Sequence, residues 1–209
     1  MPILHVKSFV SLGKPPPILT FMPIVLICGP ARSGKSRLAE KLAAASGLSV
    51  IYLATGPQVD PVRDPEWAER VQKHRQRRPS TWQTWETGLD LSLVLRDLPQ
   101  PSCVLVDSLG GWVAQGLDAA SSEWDPWVQS FLVSLKSFAG CVILVAEEVG
   151  WGVVPAYPLG RLFRDRLGEL TQAVGGMADQ VFLVTAGFAL ELSRLGMPLD
   201  RMRDPVNPE

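Results

Sequence analysis

Eight consecutive residues constrain this chain more than any others: Gly29-Pro30-Ala31-Arg32-Ser33-Gly34-Lys35-Ser36 satisfies G-x-x-x-x-G-K-[ST] in full. An apolar run, Pro23–Cys28 (PIVLIC), precedes it, and an Ala-, Leu-, Lys- and Glu-rich segment, Ser36–Ala45, follows it. A strand entering and a helix leaving is the setting in which such a loop works. The glycines let the backbone curl until its N–H groups face phosphate oxygens, and the helix adds the positive end of its dipole. Lys35 is then expected to reach the terminal phosphates of ATP or GTP, and Ser36 to hold Mg²⁺ through its hydroxyl. A chance match would require a Gly/Ser turn to fall between a strand and a helix by coincidence, and pattern and context together argue against that.

Four further apolar runs stand out: Ser49–Ala54 (SVIYLA), Cys103–Asp107 (CVLVD), Cys141–Ala146 (CVILVA) and Gln180–Thr185 (QVFLVT). Their apolar residues are continuous rather than alternating, which suits strands covered on both faces of a parallel sheet. Helical periodicity is expected over Ser36–Ala45, Pro65–Arg78, Trp124–Phe138 and Leu159–Val174. Strands alternating with helices imply right-handed crossovers and an α/β architecture, here a three-layer P-loop NTPase fold with a mostly parallel sheet.

A chain of 209 residues suits one well-buried domain. That domain is expected over residues 22–193, with neither an internal repeat nor a second domain boundary. Residues 1–21, which include Pro15, Pro16 and Pro17, read as a flexible extension or as an upstream start before Met22. Residues 194–209, with Pro198, Pro205 and Pro208, read as a loose tail. No secretory signal is evident, and the apolar runs are too short to span a bilayer. Cys28, Cys103 and Cys141 are far apart and form no CxxC pair, so buried reduced thiols in a cytoplasmic protein are expected. The net charge of -1 gives no general electrostatic reason to bind nucleic acid or an anionic membrane.

Two more residues are chemically suggestive. Asp107 closes the run Val104-Leu-Val-Asp107, where P-loop enzymes carry an acidic residue that holds Mg²⁺ directly or through water. The alternative is an Asp that caps the next turn; with the phosphate loop upstream, the metal-linked role is favoured. His74 shares a helical stripe with Trp67 and Val71 and adjoins Lys73, Arg75, Gln76, Arg77 and Arg78. The residues alone favour a partly buried histidine in a solvated basic run. The functional alternative is an imidazole that attacks an α-phosphate while the arginines neutralise the developing charge.

The order of motifs resembles the bifunctional adenosylcobinamide kinase / adenosylcobinamide-phosphate guanylyltransferase family of cobalamin biosynthesis. The likeness runs from Met22 to about Leu192. It is carried by GPARSGKSRLAE, by Tyr52-Leu-Ala-Thr55, and by Asp64-Pro-Glu66-Trp-Ala-Glu-Arg70-Val-Gln-Lys-His74 leading into Arg78-Pro79 and Trp82-Gln-Thr84-Trp-Glu86. Glu148-Val149-Gly150-Trp-Gly152-Val-Val-Pro155 and Arg161-Leu-Phe163-Arg164-Asp165 complete it. The resemblance implies an enzyme that phosphorylates adenosylcobinamide with ATP or GTP and then transfers GMP from GTP to that phosphate. It implies that His74 is the guanylylated histidine, with Lys35 as its catalytic companion on the phosphates. Besides the loop Gly29–Ser36, it places Ala54, Thr55, Gly56, Arg75, Gln76, Arg77, Arg78, Glu86 and Asp107 at the guanine nucleotide, and it implies a trimer.

The chain departs from the family's usual pattern at Gly110, Glu147, Trp151 and Thr171, positions that bear on corrinoid recognition rather than nucleotide handling. Glu147-Glu148 is a candidate acidic pair, and Trp67, Trp82, Trp85 and Trp151 are candidates for either corrinoid contact or packing. Two other readings use the same loop: a P-loop kinase of small alcohols with a structural His74, and a GTP-dependent switch that transfers nothing.

Overall fold

The computed structural model describes residues 23–56 and 62–199. The element order is β1 (Ile24–Gly29), α1 (Lys35–Ala45), β2 (Val50–Ala54), α2 (Pro65–Arg77), β3 (Gln83–Glu86), α3 (Leu91–Asp97) and β4 (Cys103–Asp107). Then come α4 (Leu109–Gln115), α5 (Ser121–Ser137), β5 (Cys141–Glu147), α6 (Pro158–Met177), β6 (Gln180–Thr185), β7 (Phe188–Glu191) and α7 (Leu192–Leu195). The seven strands form one sheet in the order β3-β2-β4-β5-β1-β6-β7, and only the β6–β7 pairing is antiparallel. The expected mostly parallel sheet is present. The segments expected as extension (1–21) and most of the tail (200–209) lie outside the described residues.

Burial on both faces explains why the five strong strands read as continuous apolar runs. Leu26, Ile51, Leu53, Val104, Val106, Val142 and Leu144 point to one face, beneath α3, α4, α5 and α6. Val25, Ile27, Val50, Tyr52, Leu105, Ile143 and Val145 point to the other, against Ala39 and Ala43 of α1. Successive side chains on a strand alternate faces, so a strand covered twice needs apolar residues at every position. Each fully buried Leu, Ile or Val is worth roughly 1.5–3 kcal/mol of apolar transfer free energy. Cys103 and Cys141 are buried and Cys28 partly so, all three as free thiols.

The five apolar runs do not include β3 or β7, and the expected helices do not include α3, α4 or α7. Gln83–Glu86 (QTWE) is exposed throughout and carries no apolar run, yet its backbone pairs with the edge of β2. Strand β7 is created by a two-residue hairpin, in which Ala186 (φ 49) and Gly187 (φ 79) connect the paired Thr185 and Phe188. Positive φ at both loop positions matches the twist of a hairpin. Helix α5 begins at Ser121, three residues before the expected Trp124, because Glu123 reaches back to the Ala120 N–H at 3.2 Å. Helix α6 also outruns its expected limits of Leu159 and Val174 by one residue at the start and three at the end. Among the described residues, no helix is long and apolar enough to cross a membrane.

Candidate active site at the phosphate loop

The carboxyl ends of β1, β2, β4 and β5 gather the candidate residues at one edge of the sheet, the usual ligand-binding edge of such folds. The phosphate loop leaves β1 at Gly29. A Cβ there would stand 2.2 Å from the Val184 carbonyl oxygen, so only glycine fits against β6. Gly34 begins α1 at φ 104, a left-handed conformation that favours glycine. Between them Pro30, Ala31 and Arg32 form the partly to fully exposed crest. Lys35 is buried and its Nζ donates to the Pro30 carbonyl at 3.2 Å, so the ammonium lies across the loop. The Ser33 hydroxyl is buried with no hydrogen-bond partner. A buried, unsatisfied polar group inside an amide-rich loop costs about 1–3 kcal/mol, which a phosphate oxygen would offset.

Asp107 is the hub. Its Oδ1 accepts from Ser36 Oγ at 3.4 Å, and its Oδ2 accepts from the Tyr52 hydroxyl at 3.0 Å. His74 Nδ1 stands 3.9 Å from the same Oδ2. Three residues, from α1, β2 and α2, thus meet at the β4 carboxylate beside the phosphate loop. The Tyr52 hydroxyl is pushed well up from its ordinary value by burial and then by the adjacent Asp107 charge. It therefore remains a donor to the carboxylate. Among the described residues, no group of three His, Cys, Asp or Glu side chains converges as a metal cage. The Ser36–Asp107 pair is instead two hard oxygen donors, the set with which Mg²⁺ combines substrate phosphates and water.

The basic segment is held in place by partners of its own. Arg77 donates to Glu40 of α1 at 3.0 Å and lies 3.4 Å from His74 Nδ1. Burial raises the Glu40 carboxyl and the Arg77 charge opposes it. Arg78 caps α2 by donating to the His74 carbonyl at 3.1 Å, and its guanidinium stacks 3.5 Å from the centre of the Tyr52 ring. Arg75 pairs with Glu86 at 2.9 Å, while Gln76 is exposed. A cavity of about 420 Å³ is lined by Arg75, Arg78, Trp82, Thr84 and Glu86. It adjoins the Asp107 hub through Arg78 and Tyr52. Trp82 packs against the sheet face that carries α1, and Trp85 is partly exposed. The side chain of Trp67 lies outside the described residues.

Ala54, Thr55 and Gly56 continue β2 at this edge. The Thr55 side chain is wholly buried: its oxygen accepts the Ser108 N–H at 2.8 Å and its hydroxyl donates to the Ser108 carbonyl. It clamps the turn after Asp107. The acidic pair divides its work. Glu147 accepts the Gly110 N–H at 3.1 Å, whereas Glu148 accepts the Gly150 N–H at 2.8 Å. A Cβ on residue 110 would stand 2.1 Å from the Glu147 carboxylate, so these two departures from the family pattern fit one another. Glu147, Trp151 and Thr171 all line one further cavity. Sequence reasoning missed the roles of Tyr52 and Glu40; a hydroxyl within an otherwise apolar strand was the available signal for Tyr52.

A strand–loop–helix cradle at the edge of a mostly parallel sheet, with an acidic strand end beside the loop's serine, defines a P-loop nucleotide-binding protein. The fold is shared with an ATPase from the type III secretion system of pathogenic bacteria (TM-score 0.52, 11% identity, 86% of this chain and 60% of that one). It is shared equally with a Pyrococcus horikoshii OT3 protein (TM-score 0.52, 8% identity, 84% and 88% covered). Within that class the chain belongs to the cobinamide kinase / cobinamide phosphate guanyltransferase family, whose model matches residues 25–192. It is 41% identical over 176 residues to the bifunctional adenosylcobalamin biosynthesis protein CobP of Pseudomonas aeruginosa, covering 83% of this chain and 98% of that one. It is 34% identical over 184 residues to CobU of Salmonella typhimurium, with 81% and 99% covered.

Proposed function

We propose that this chain phosphorylates adenosylcobinamide with ATP or GTP, then transfers GMP from GTP to the product, giving adenosylcobinamide-GDP, with His74 as the covalent carrier. The observation that carries the second half is His74 Nδ1 at 3.9 Å from Asp107, whose other oxygen meets Ser36 of the phosphate loop at 3.4 Å. That proximity sets a nucleophilic side chain beside the phosphate cradle.

In the guanylylation step a neutral imidazole nitrogen attacks the α-phosphorus of GTP. A P–N bond forms, the bond from the α-phosphorus to the bridging oxygen breaks, and pyrophosphate leaves. A phosphate oxygen of adenosylcobinamide phosphate then attacks the same phosphorus, and the P–N bond breaks to restore His74. Splitting the transfer replaces one difficult displacement by two easier ones. Lys35 and Arg32 neutralise charge on the departing phosphates, while the basic run around His74 serves the α-phosphate. Ser36 and Asp107 would hold Mg²⁺, which when bound supplies charge neutralisation on the phosphates. The cavity bounded by Arg75 and Glu86 suits the guanine and ribose, with the Glu86 carboxylate accepting from the base's N1–H and N2–H₂ edge. We take the enzyme to be cytoplasmic and trimeric; exposed Phe188 and Leu190 on the edge strand β7 suit a subunit contact.

The test is incubation of the pure protein with Mg²⁺ and α-³²P-GTP, followed by denaturing electrophoresis. The expected result is an acid-labile, alkali-stable label that is absent in His74→Ala. A folded, GTP-binding wild type that takes no label would refute guanylyl transfer and leave a simple kinase or a switch.

A further inference from the structure

A second cavity, of about 370 Å³, opens on the other flank of the phosphate loop, between β1, β6 and α6. Its walls are mostly apolar, with Leu26 and Leu183 from the sheet. Three features tie it to chemistry. Glu148 stands at its edge and its backbone N–H donates to the Gly29 carbonyl at 2.8 Å, so this carboxylate is anchored to the first residue of the phosphate loop. The Cys28 thiol is pushed up to about 12 by burial and by the Glu148 charge, against an opposing effect of Lys35. The same sulfur therefore senses both the carboxylate and the loop's ammonium. Finally, the Thr171 hydroxyl in the cavity wall is buried without a hydrogen-bond partner.

An apolar cleft with a few convergent polar groups is the general form of a small-molecule site. Here its mouth is bordered by Trp151, which is 66% exposed, and the chain beyond continues with Val153 and Val154, 95% and 60% exposed. His74 meets Asp107 at the end of β4, which lies across β5 from β1, whereas this cavity is walled by β1, β6 and α6 and reaches only Glu147 and Glu148 at the end of β5. The two flanks leave room for two different partners at one phosphate loop.

We propose that this second cavity is the acceptor subsite of the kinase reaction: it takes the hydroxyl-bearing arm of the corrinoid, Trp151 supports the macrocycle's apolar edge, and Glu148 receives the hydroxyl proton. The assignment rests on the kinase half of the function proposed above. In the step, the acceptor oxygen attacks the γ-phosphorus of the nucleoside triphosphate and an O–P bond forms. The bond from the γ-phosphorus to the β–γ bridging oxygen breaks, the nucleoside diphosphate leaves, and the hydroxyl proton passes to the Glu148 carboxylate. The Thr171 hydroxyl finds a polar partner on the arm.

Two variants test this, each assayed for phosphorylation of adenosylcobinamide from γ-³²P-ATP and for α-³²P-GTP labelling of His74. Loss of a positioned proton acceptor typically costs 10²–10⁴-fold, so Glu148→Gln is expected to lower kinase kcat by about 100-fold or more while the label persists. Gly168 lines the cavity on α6, and a Cβ there meets nothing within 4 Å, so Gly168→Leu fills the space without a backbone clash and improves helix propensity. It is expected to raise the KM for the corrinoid by about tenfold with the KM for ATP unchanged. Wild-type kinase constants in both variants would overturn the subsite while leaving the proposed function standing. A change in sedimentation of Gly168→Leu with an unchanged corrinoid KM would overturn it in favour of a contact between copies of the chain. A labelled wild type that cannot phosphorylate adenosylcobinamide would remove the kinase half and this subsite with it, whereas an unlabelled wild type that still phosphorylates it would remove only the guanylyl step.

Discussion

Gly29→Ala adds one methyl group at the most confined position of the phosphate loop. The new Cβ would begin 2.2 Å from the Val184 carbonyl oxygen and 2.9 Å from Ser33 Oγ. Cβ atoms essentially never approach closer than 3.0 Å, so the loop and β6 must separate by at least 0.8 Å, the difference between 3.0 and 2.2. Ser33 Oγ can rotate away. The closer partner is the Val184 backbone, held by the sheet with Leu26 and Ile27 pairing with Val181 and Phe182 alongside, so it cannot swing aside. Overpacking of this kind costs about 1–3 kcal/mol. For a chain of this size that lowers Tm by about 2–4 °C per kcal/mol. The functional loss is expected to be larger, because a misplacement near 1 Å at a reacting centre can cost about 10²-fold in rate. Thermal unfolding and the rate of α-³²P-GTP labelling measure the two effects separately. Gly47→Ala is the control: its φ of 71 disfavours alanine, but nothing lies within 4 Å of the added Cβ and the position is remote from the loop. It should lose stability and keep its labelling rate. A Gly29→Ala protein that labels at the wild-type rate would show that the 2.2 Å contact does not govern the loop, and the steric reasoning would fail.

Two further outcomes follow from single contacts. Tyr52→Phe keeps the ring on which Arg78 stacks but removes the 3.0 Å hydrogen bond to Asp107. Hydrogen bonds to charged groups contribute about 1.5–3 kcal/mol, so denaturant unfolding should show a loss in that range with little change in m-value. Asp90 caps α3, accepting the Leu93 N–H at 2.9 Å and the Ser92 hydroxyl at 2.7 Å, and these bonds hold its carboxyl below the ordinary value of 3.8. A carboxylate with a depressed folded-state value stabilises fully above its unfolded value and loses that contribution as pH falls through the folded one. Asp90→Ala should therefore cost about 1 kcal/mol near neutral pH, with the gap to wild type closing below about pH 4. An equal gap at pH 7 and pH 3 would contradict the cap.

The sequence by itself determined the class of fold, the phosphate loop and the family. Five strands were legible because burial on both faces demands an apolar residue at every position, and PIVLIC, SVIYLA, CVLVD, CVILVA and QVFLVT record that demand locally. The loop was legible because its glycines answer steric requirements that no other residue meets. Tertiary structure alone decided what depends on contacts between distant segments. Gln83–Glu86 becomes a strand only because the β2 edge is there to pair with it. Thr55, read as a nucleotide residue, has its hydroxyl committed to Ser108, 53 positions away. Ser36, Tyr52 and His74 meet at Asp107 because the sheet order sets β4 beside β2 and one strand away from β1. Glu148 and Thr171 share a cavity because α6 folds back over β1. Periodicity records how deeply a residue is buried, but which residues meet is set by the order of strands and the crossovers joining them, and that order leaves no local trace.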